Sequence, residues 1–256
     1  MVLRKYVTSV GLLALLAVAG CTDTDQERGN AHTNEEEIDE GNEPRLTIDE
    51  KYLNDVIEVD GVSTLANPEN IAANVNPEYR LPDGYEPPDL VAPDIRFSFD
   101  DDVDKRYVRE EAGAALEELF AAAEMDGHIL YAISGYRSFD RQESIYGNAI
   151  NQDGADQDTV AEPGHSEHQT GLAMDVSSES VNMELTTEFK ETPEGSWLAE
   201  NAHHFGFIIR YPEGADEITG YSYEPWHLRY VGEEVAQDIF DNQFTLEEYH
   251  EEVVGV

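Results

Sequence analysis

Basic residues are scarce in this chain. Its 256 residues include 15 Lys and Arg against 56 Asp and Glu, which gives a formal net charge of −41. A protein binds a polyphosphate through Lys and Arg that displace counterions, so this shortage argues strongly against a nucleic-acid partner. The acidity indicates a heavily solvated surface, suited to high salt or high pH, where charge repulsion is screened. A specific cationic partner is the alternative explanation.

Cysteine occurs once, as Cys21, so no disulfide can form within the chain. The residues before it are a basic pair at positions 4 and 5, a short apolar run over 10–18 and two small residues. This arrangement is typical of a secretory signal, and the apolar run is too short to span a membrane as a helix.

The residues that end at Cys21 resemble a bacterial lipobox. The resemblance implies that residues 1–20 are a lipoprotein signal peptide, with cleavage before Cys21 and lipidation of its thiol. An ordinary signal peptide that happens to precede a cysteine is the alternative. We therefore expect the mature protein to lie outside the cytoplasmic membrane, attached to it by a lipid anchor only.

Three further segments follow the signal. Residues 21–46 are acidic and have almost no large apolar side chains, so they are expected to form a disordered spacer. Apolar residues return in short pieces over 47–80, which predicts an N-terminal extension that packs weakly or partly on the domain. Residues 81–256 are predicted to form that domain, and we expect a monomer. Helical and strand patterns alternate there without regular βαβ spacing, which favours an α+β fold.

Three helix starts are predicted from residues that cap helices. Ser138 and Ser196 each precede a segment with helical spacing of apolar residues. Thr245, with Glu248 three residues later, has the pattern of a capping box.

The stretch from Pro163 to Val176, PGHSEHQTGLAMDV, holds two histidines, a glutamate and an aspartate. Zinc is bound by histidine nitrogens and carboxylate oxygens, and a catalytic site keeps three protein ligands. His168 and Asp175 are seven positions apart, with Gly171 between them where the chain can turn. His165 and His168 form an alternative pair, but the HExxH helix is absent and the Pro-Gly start opposes a helix.

A third ligand has to come from another segment, and the stretch YEPWHLRYVG offers His227. Glu224 precedes His227 by three residues, and a glutamate beside a metal-bound water can pass a proton to a leaving amine. Residues three apart face opposite sides of a strand, so we expect Glu224 on the loop before it. Arg137, at the end of a predicted buried strand, has a guanidinium that can bind a substrate carboxylate; a core salt bridge is the alternative.

Together these motifs resemble the VanY-like D-alanyl-D-alanine carboxypeptidases, which are zinc peptidases of the bacterial cell wall. The resemblance spans roughly residues 81 to 249 and is carried by three patterns: Ser-x-His-x-x-Gly-x-Ala-x-Asp, Glu-x-x-His and Tyr-Arg-Ser…Gln. The matching residues are Ser166, His168, Gly171, Ala173 and Asp175; Glu224 and His227; and Tyr136, Arg137, Ser138 and Gln142.

The resemblance implies a fold and a set of roles. The fold would be α+β, with the zinc site on a small antiparallel sheet flanked by helices. The site residues would be His168, Asp175 and His227 as zinc ligands, Glu224 as general base and acid, and Arg137, supported by Gln142 and Ser166, holding the substrate carboxylate or the developing oxyanion.

The implied reaction is metal-assisted hydrolysis that removes the terminal D-alanine from peptidoglycan stem peptides. The Ser-x-x-Lys motif of serine-type enzymes is absent from the sequence. L,D-carboxypeptidase action on a tetrapeptide, endopeptidase cleavage and a non-catalytic, zinc-bearing module that binds peptidoglycan are the alternatives. The presence of Glu224 favours an enzyme, because a structural zinc site needs no general base.

Overall fold

The computed structural model describes residues 46–154 and 160–256. Cys21, the expected signal peptide over 1–20 and the spacer up to residue 45 lie outside the described residues. Within the described part, no helix is both long enough and apolar enough to cross a membrane.

Six α-helices lie within the described residues, joined by short 3₁₀ turns. They are α1 (Glu110–Met125), α2 (Phe139–Asp153), α3 (Pro193–Asn201), α4 (Asp216–Thr219), α5 (Glu233–Asn242) and α6 (Leu246–Glu252). The predicted caps at Ser138 and Thr245 are confirmed: each side chain accepts a backbone N–H of the first turn, and Thr245 forms the full capping box. The predicted start at Ser196 is wrong, because Thr192 caps α3 and Pro193 fits its first turn.

The strands described are short. They are β1 (Thr47–Ile48), β2 (Val56–Val59), β3 (Val62–Leu65), β4 (Leu90–Val91), β5 (Val108–Arg109), β6 (Tyr131–Ser134), β7 (Ala173–Ser177), β8 (Phe207–Ile209), β9 (His227–Tyr230) and β10 (Val254–Gly255). Four of them form the main sheet in the order β6-β7-β9-β8, with every neighbouring pair antiparallel. The expected α+β fold with a small antiparallel sheet is therefore confirmed.

Alternation along β7 separates the core from the site. Met174 and Val176 lie in the main hydrophobic core, together with Leu228 of β9 and with apolar residues of α1 and α3. Asp175 points to the opposite face, since successive side chains of a strand alternate. In the β7–β9 register, Asp175 lies opposite His227, so the sheet itself brings these two side chains together.

The N-terminal extension packs more tightly than the sequence indicates. Leu65, Ala73 and Val75 are completely buried, and β1 pairs in parallel with β10 near the C-terminus. The backbone carbonyl of Ala73 accepts a hydrogen bond from Arg229, a fully buried arginine of β9. The extension is held by this long-range contact, which its own short apolar pieces do not predict.

Candidate metal centre

The three predicted ligands come from a turn and two neighbouring strands. His168 lies in a 3₁₀ turn over Glu167–Thr170, just before β7, while Asp175 and His227 face each other across β7 and β9. Gly171 ends the turn with φ +67°, a left-handed conformation that glycine adopts without strain. A Cβ at this position would lie 2.9 Å from Leu90 Cδ2, so the turn also leaves no space for a side chain.

The side chains of His168, Asp175 and His227 converge on one point. Their candidate ligand atoms all lie within 4.8 Å of one another, and the three residues are buried. His168 Nε2 is 3.4 Å from one oxygen of Asp175, and His227 Nδ1 is 2.9 Å from the other. Two imidazoles and one carboxylate are a donor set that Zn²⁺ takes in catalytic sites.

Hydrogen bonding fixes the tautomer of His168. Its Nδ1 is 2.8 Å from the carbonyl oxygen of Gly135, which can only accept, so Nδ1 carries the proton. The lone pair is then on Nε2, the nitrogen that faces Asp175. Burial lowers the pKa of His168 to about 3, so the imidazole is neutral at physiological pH. A neutral ring oriented through its other nitrogen is the usual form of a metal ligand.

His227 is placed between two carboxylates. Its Nδ1 faces Asp175, and its Nε2 is 3.4 Å from an oxygen of Glu167. Burial opposes the charged ring, but hydrogen bonds to these two carboxylates raise the pKa of His227 to about 10. A cation that binds at Nδ1 therefore displaces a proton, as metal binding to protonated ligands does.

Glu167 is a site residue to which the sequence analysis assigned no role. It is fully buried, and Arg210 and Arg229 bind its Oε1 at 2.7 and 2.5 Å. Burial alone would raise the pKa of Glu167, but Arg229 and Arg210 hold it well below its usual range. The carboxylate is therefore ionised beside His227. Its position next to His168 in the sequence is the only signal that could have drawn attention to it.

Glu224 lies on the loop before β9, as expected. Its backbone N–H donates to the carbonyl of Tyr211 at 3.0 Å, and its carboxylate is 3.8 Å from His227 Nδ1. Burial, opposed by the charge of His227, raises the pKa of Glu224 to about 6. A carboxylate with this pKa, beside the metal ligands, is suited to accept and return a proton near neutral pH.

Arg137, Gln142 and Ser166 line the same cleft of about 290 Å³ as the three ligands and Glu224. One guanidinium nitrogen of Arg137 donates to Gln142 Oε1 at 2.9 Å, and Gln142 donates in turn to the carbonyl of Ala161. In the described part of the chain, Arg137 forms no ion pair, so the core salt bridge considered as an alternative is not observed. Its other N–H groups remain available to an anion in the cleft.

The sequence that forms this site matches a known protein family. The family model for VanY, D-alanyl-D-alanine carboxypeptidase, matches residues 105–233. The chain belongs to the VanY family. All the predicted cleft residues, from Arg137 to His227, lie within the matched range. The chain is therefore a hydrolase of the metallocarboxypeptidase type, and its ligand set fits zinc.

One protein sequence and two solved structures are similar to most of this chain. The carboxypeptidase-like protein YodJ of Bacillus subtilis (strain 168) is 52% identical over 210 residues, which cover 81% of this chain and 77% of YodJ. The solved structure of the LdcB LD-carboxypeptidase has 52% identity and a TM-score of 0.81, covering 82% of this chain and all of that one. A Zn(II) complex of the vancomycin resistance D,D-pentapeptidase VanY has 33% identity and a TM-score of 0.56, covering 70% and 98%.

The first prediction concerns Gly135, whose carbonyl orients His168. A Cβ there would lie 2.5 Å from the backbone oxygen of Tyr107, so Gly135→Ala has to displace this segment. We expect it to lower the free energy of unfolding by about 1–3 kcal/mol and to weaken zinc binding, measured by denaturant titration and by competition with a chelator. Gly147→Ala is the matched control.

Gly147 lies inside α2 with nothing within 4 Å of an added Cβ. Alanine there should raise stability by about 0.5–1 kcal/mol and leave zinc affinity unchanged. Equal zinc affinities in the two variants would show that the Gly135 carbonyl does not position His168.

Proposed function

We propose that this protein is a zinc-dependent L,D-carboxypeptidase that removes the terminal D-alanine from tetrapeptide stems of peptidoglycan. The observation that carries the proposal is one cleft that combines the three ligands, the general base Glu224 and Arg137, which forms no ion pair with any described residue. The preference for the L,D bond is supported by the likeness to LdcB, with a TM-score of 0.81 against 0.56 for the D,D-pentapeptidase VanY. The D,D cut on pentapeptides, expected from the motifs, is the second candidate.

The zinc ion and the side chains have different roles in the proposed reaction. Zinc bound by His168, Asp175 and His227 would polarise the scissile carbonyl and acidify a water molecule. Glu224 removes a proton from the attacking water, whose oxygen becomes bonded to the carbonyl carbon. Glu224 then gives this proton to the amine nitrogen as the C–N bond breaks, so that D-alanine leaves with a neutral amine.

Arg137 accounts for cleavage one residue from the end. Its remaining N–H groups bind the terminal carboxylate of the substrate, while Gln142 holds the guanidinium and Ser166 lines the same cleft. A mid-chain peptide bond offers no carboxylate at this place.

The decisive experiment measures D-alanine released by the zinc-loaded protein from tetrapeptide and pentapeptide muropeptides. We expect release from the tetrapeptide, and a fall in kcat of about 100- to 10,000-fold in Glu224→Gln, which keeps the ligands but cannot accept the proton. The matched control is Glu200→Gln, on the exposed side of α3, and a chelator should abolish release.

Each outcome of this experiment has a definite meaning. Release from the pentapeptide alone would replace the L,D assignment by the D,D one and keep the mechanism. If Glu224→Gln is as active as the wild type, the assigned base is wrong. If neither substrate releases D-alanine while zinc is bound, the carboxypeptidase proposal fails, and an endopeptidase or a binding module replaces it.

A second prediction tests the role of Arg137. We expect Arg137→Ala to lower kcat/KM by roughly 10- to 150-fold, the loss of a charged hydrogen bond worth about 1.5–3 kcal/mol. On a substrate with an amidated C-terminus, the same substitution should have little further effect, because the carboxylate is already missing. Arg141→Ala, an exposed neighbour in α2, is the control. Equal losses on both substrates would contradict carboxylate binding.

We also propose that lipidation at Cys21 holds the protein at the outer face of the cytoplasmic membrane, facing the cell wall. The support is the lipobox-like sequence before this single cysteine. In a bacterial host, Cys21→Ser should move the protein from the membrane fraction to a soluble fraction outside the membrane, as seen by immunoblotting. If the variant fractionates with the membrane like the wild type, another attachment exists.

A further inference from the structure

The two oxygens of Glu167 have separate partners. Oε1 accepts hydrogen bonds from both Arg210 and Arg229. Oε2 meets one group among the described residues, the Nε2 of His227, at 3.4 Å. This distance is long for a hydrogen bond, but it joins a carboxylate to the far side of a metal ligand.

Arg210 and Arg229 form their hydrogen bonds without using Oε2 of Glu167. Arg210 also binds both oxygens of Glu247, at 2.9 and 2.5 Å. Arg229 donates to the backbone carbonyls of Ile71 and Ala73. Two arginines are therefore matched by two glutamates, as buried charges require. Since neither arginine uses Oε2 of Glu167, this oxygen is left to face the imidazole.

The two nitrogens of the His227 ring face different groups: Nδ1 faces Asp175, with Glu224 farther away at 3.8 Å, and Nε2 faces Glu167. Tyr211 packs on one side of it, with ring centroids 5.0 Å apart, and His168 meets it edge-on at the same distance. Turning the ring over would place Nε2 toward Asp175 and Nδ1 toward Glu167. Only a proton on the nitrogen that faces Glu167 leaves a lone pair directed at the other ligands.

We propose that Glu167 is a positioning residue for the metal centre. Its Oε2 accepts a hydrogen bond from the Nε2–H of His227, which makes Nδ1 the nitrogen that binds zinc and increases the basicity of that nitrogen. Arg210 and Arg229 hold Glu167 in place through its Oε1, so a buried charge cluster supports one metal ligand on the side away from the metal. This inference rests on the proposed zinc site and assigns a function to residues that do not touch the substrate.

The test compares Glu167→Gln with Glu247→Gln in the full chain. Each substitution removes one negative charge from the cluster of Arg210 and Arg229, but only Glu167 also faces His227. We measure the Kd for zinc by competition with a chelator, and folding by circular dichroism. We expect Glu167→Gln to weaken zinc binding by about 10- to 100-fold, the usual loss when an outer partner of a histidine ligand is removed. Glu247→Gln should change the Kd for zinc by less than about threefold, because Glu247 does not contact a metal ligand.

Two results of this comparison would overturn the proposal. One is an unchanged zinc affinity in Glu167→Gln. The other is an equal loss in the two variants, which would show that the cluster only maintains the fold.

A second measurement needs no variant, so it decides the question even if Glu167→Gln does not fold. NMR of the zinc-loaded wild type with isotope-labelled histidine distinguishes a protonated ring nitrogen from a metal-bound one by chemical shift. We expect His227 to bind zinc through Nδ1 and to carry its proton on Nε2. Binding through Nε2 would overturn the proposal. If Nδ1 binds zinc but no peptide is cleaved, the proposed function fails and the role of Glu167 stands.

Discussion

The antiparallel pairing of β7 with β9 is the constraint on which the metal centre depends. Its register sets Asp175 opposite His227, and the alternation along each strand sends their neighbours, Met174 and Leu228, into the core. A slip of one residue would exchange the two faces, burying the ligands among apolar side chains. The hydrophobic core thus fixes the position of the ligands, and the same packing that stabilises the domain assembles its site.

Burial and the neighbours of each ionisable group in the cleft together determine its charge state. His168, which has a carbonyl for its second partner, stays neutral, whereas His227 lies between two carboxylates and holds its proton strongly. Glu224, partly open to the cleft, has a raised pKa, while Glu167 is fixed as an anion by two arginines. Neighbouring groups in one region of low dielectric constant thus have different pKa values, which suit them to act as metal ligands, as a general base and as an ionised partner of a ligand.

Sequence reasoning was most successful where the information is local, as at the helix caps, and where the family patterns name residues in separate segments. The predicted ligands His168, Asp175 and His227 do converge, and Ser138 and Thr245 cap the helices assigned to them.

Long-range contacts account for what sequence reasoning missed. Arg210 and Arg229 are 43 and 62 residues from Glu167, and only the folded chain brings these charges together. The tight packing of the extension depends on a similar contact, since its carbonyls complete the hydrogen bonding of a distant arginine. The spacing of residues within one segment cannot predict contacts with distant segments.

The pairing of β1 with β10 has a consequence for the order of folding. Thr47 lies beside Val254, so the two ends of the domain meet in one ladder, and this contact has nearly the largest sequence separation that the domain allows. Pairing between residues so far apart in sequence forms slowly, because the closure entropy of the loop is lost before the contact is made. The ladder of β1 and β10 can form only once both Thr47–Ile48 and Val254–Gly255 are present. The first strand of the extension therefore docks late in folding, after the local elements between the two strands.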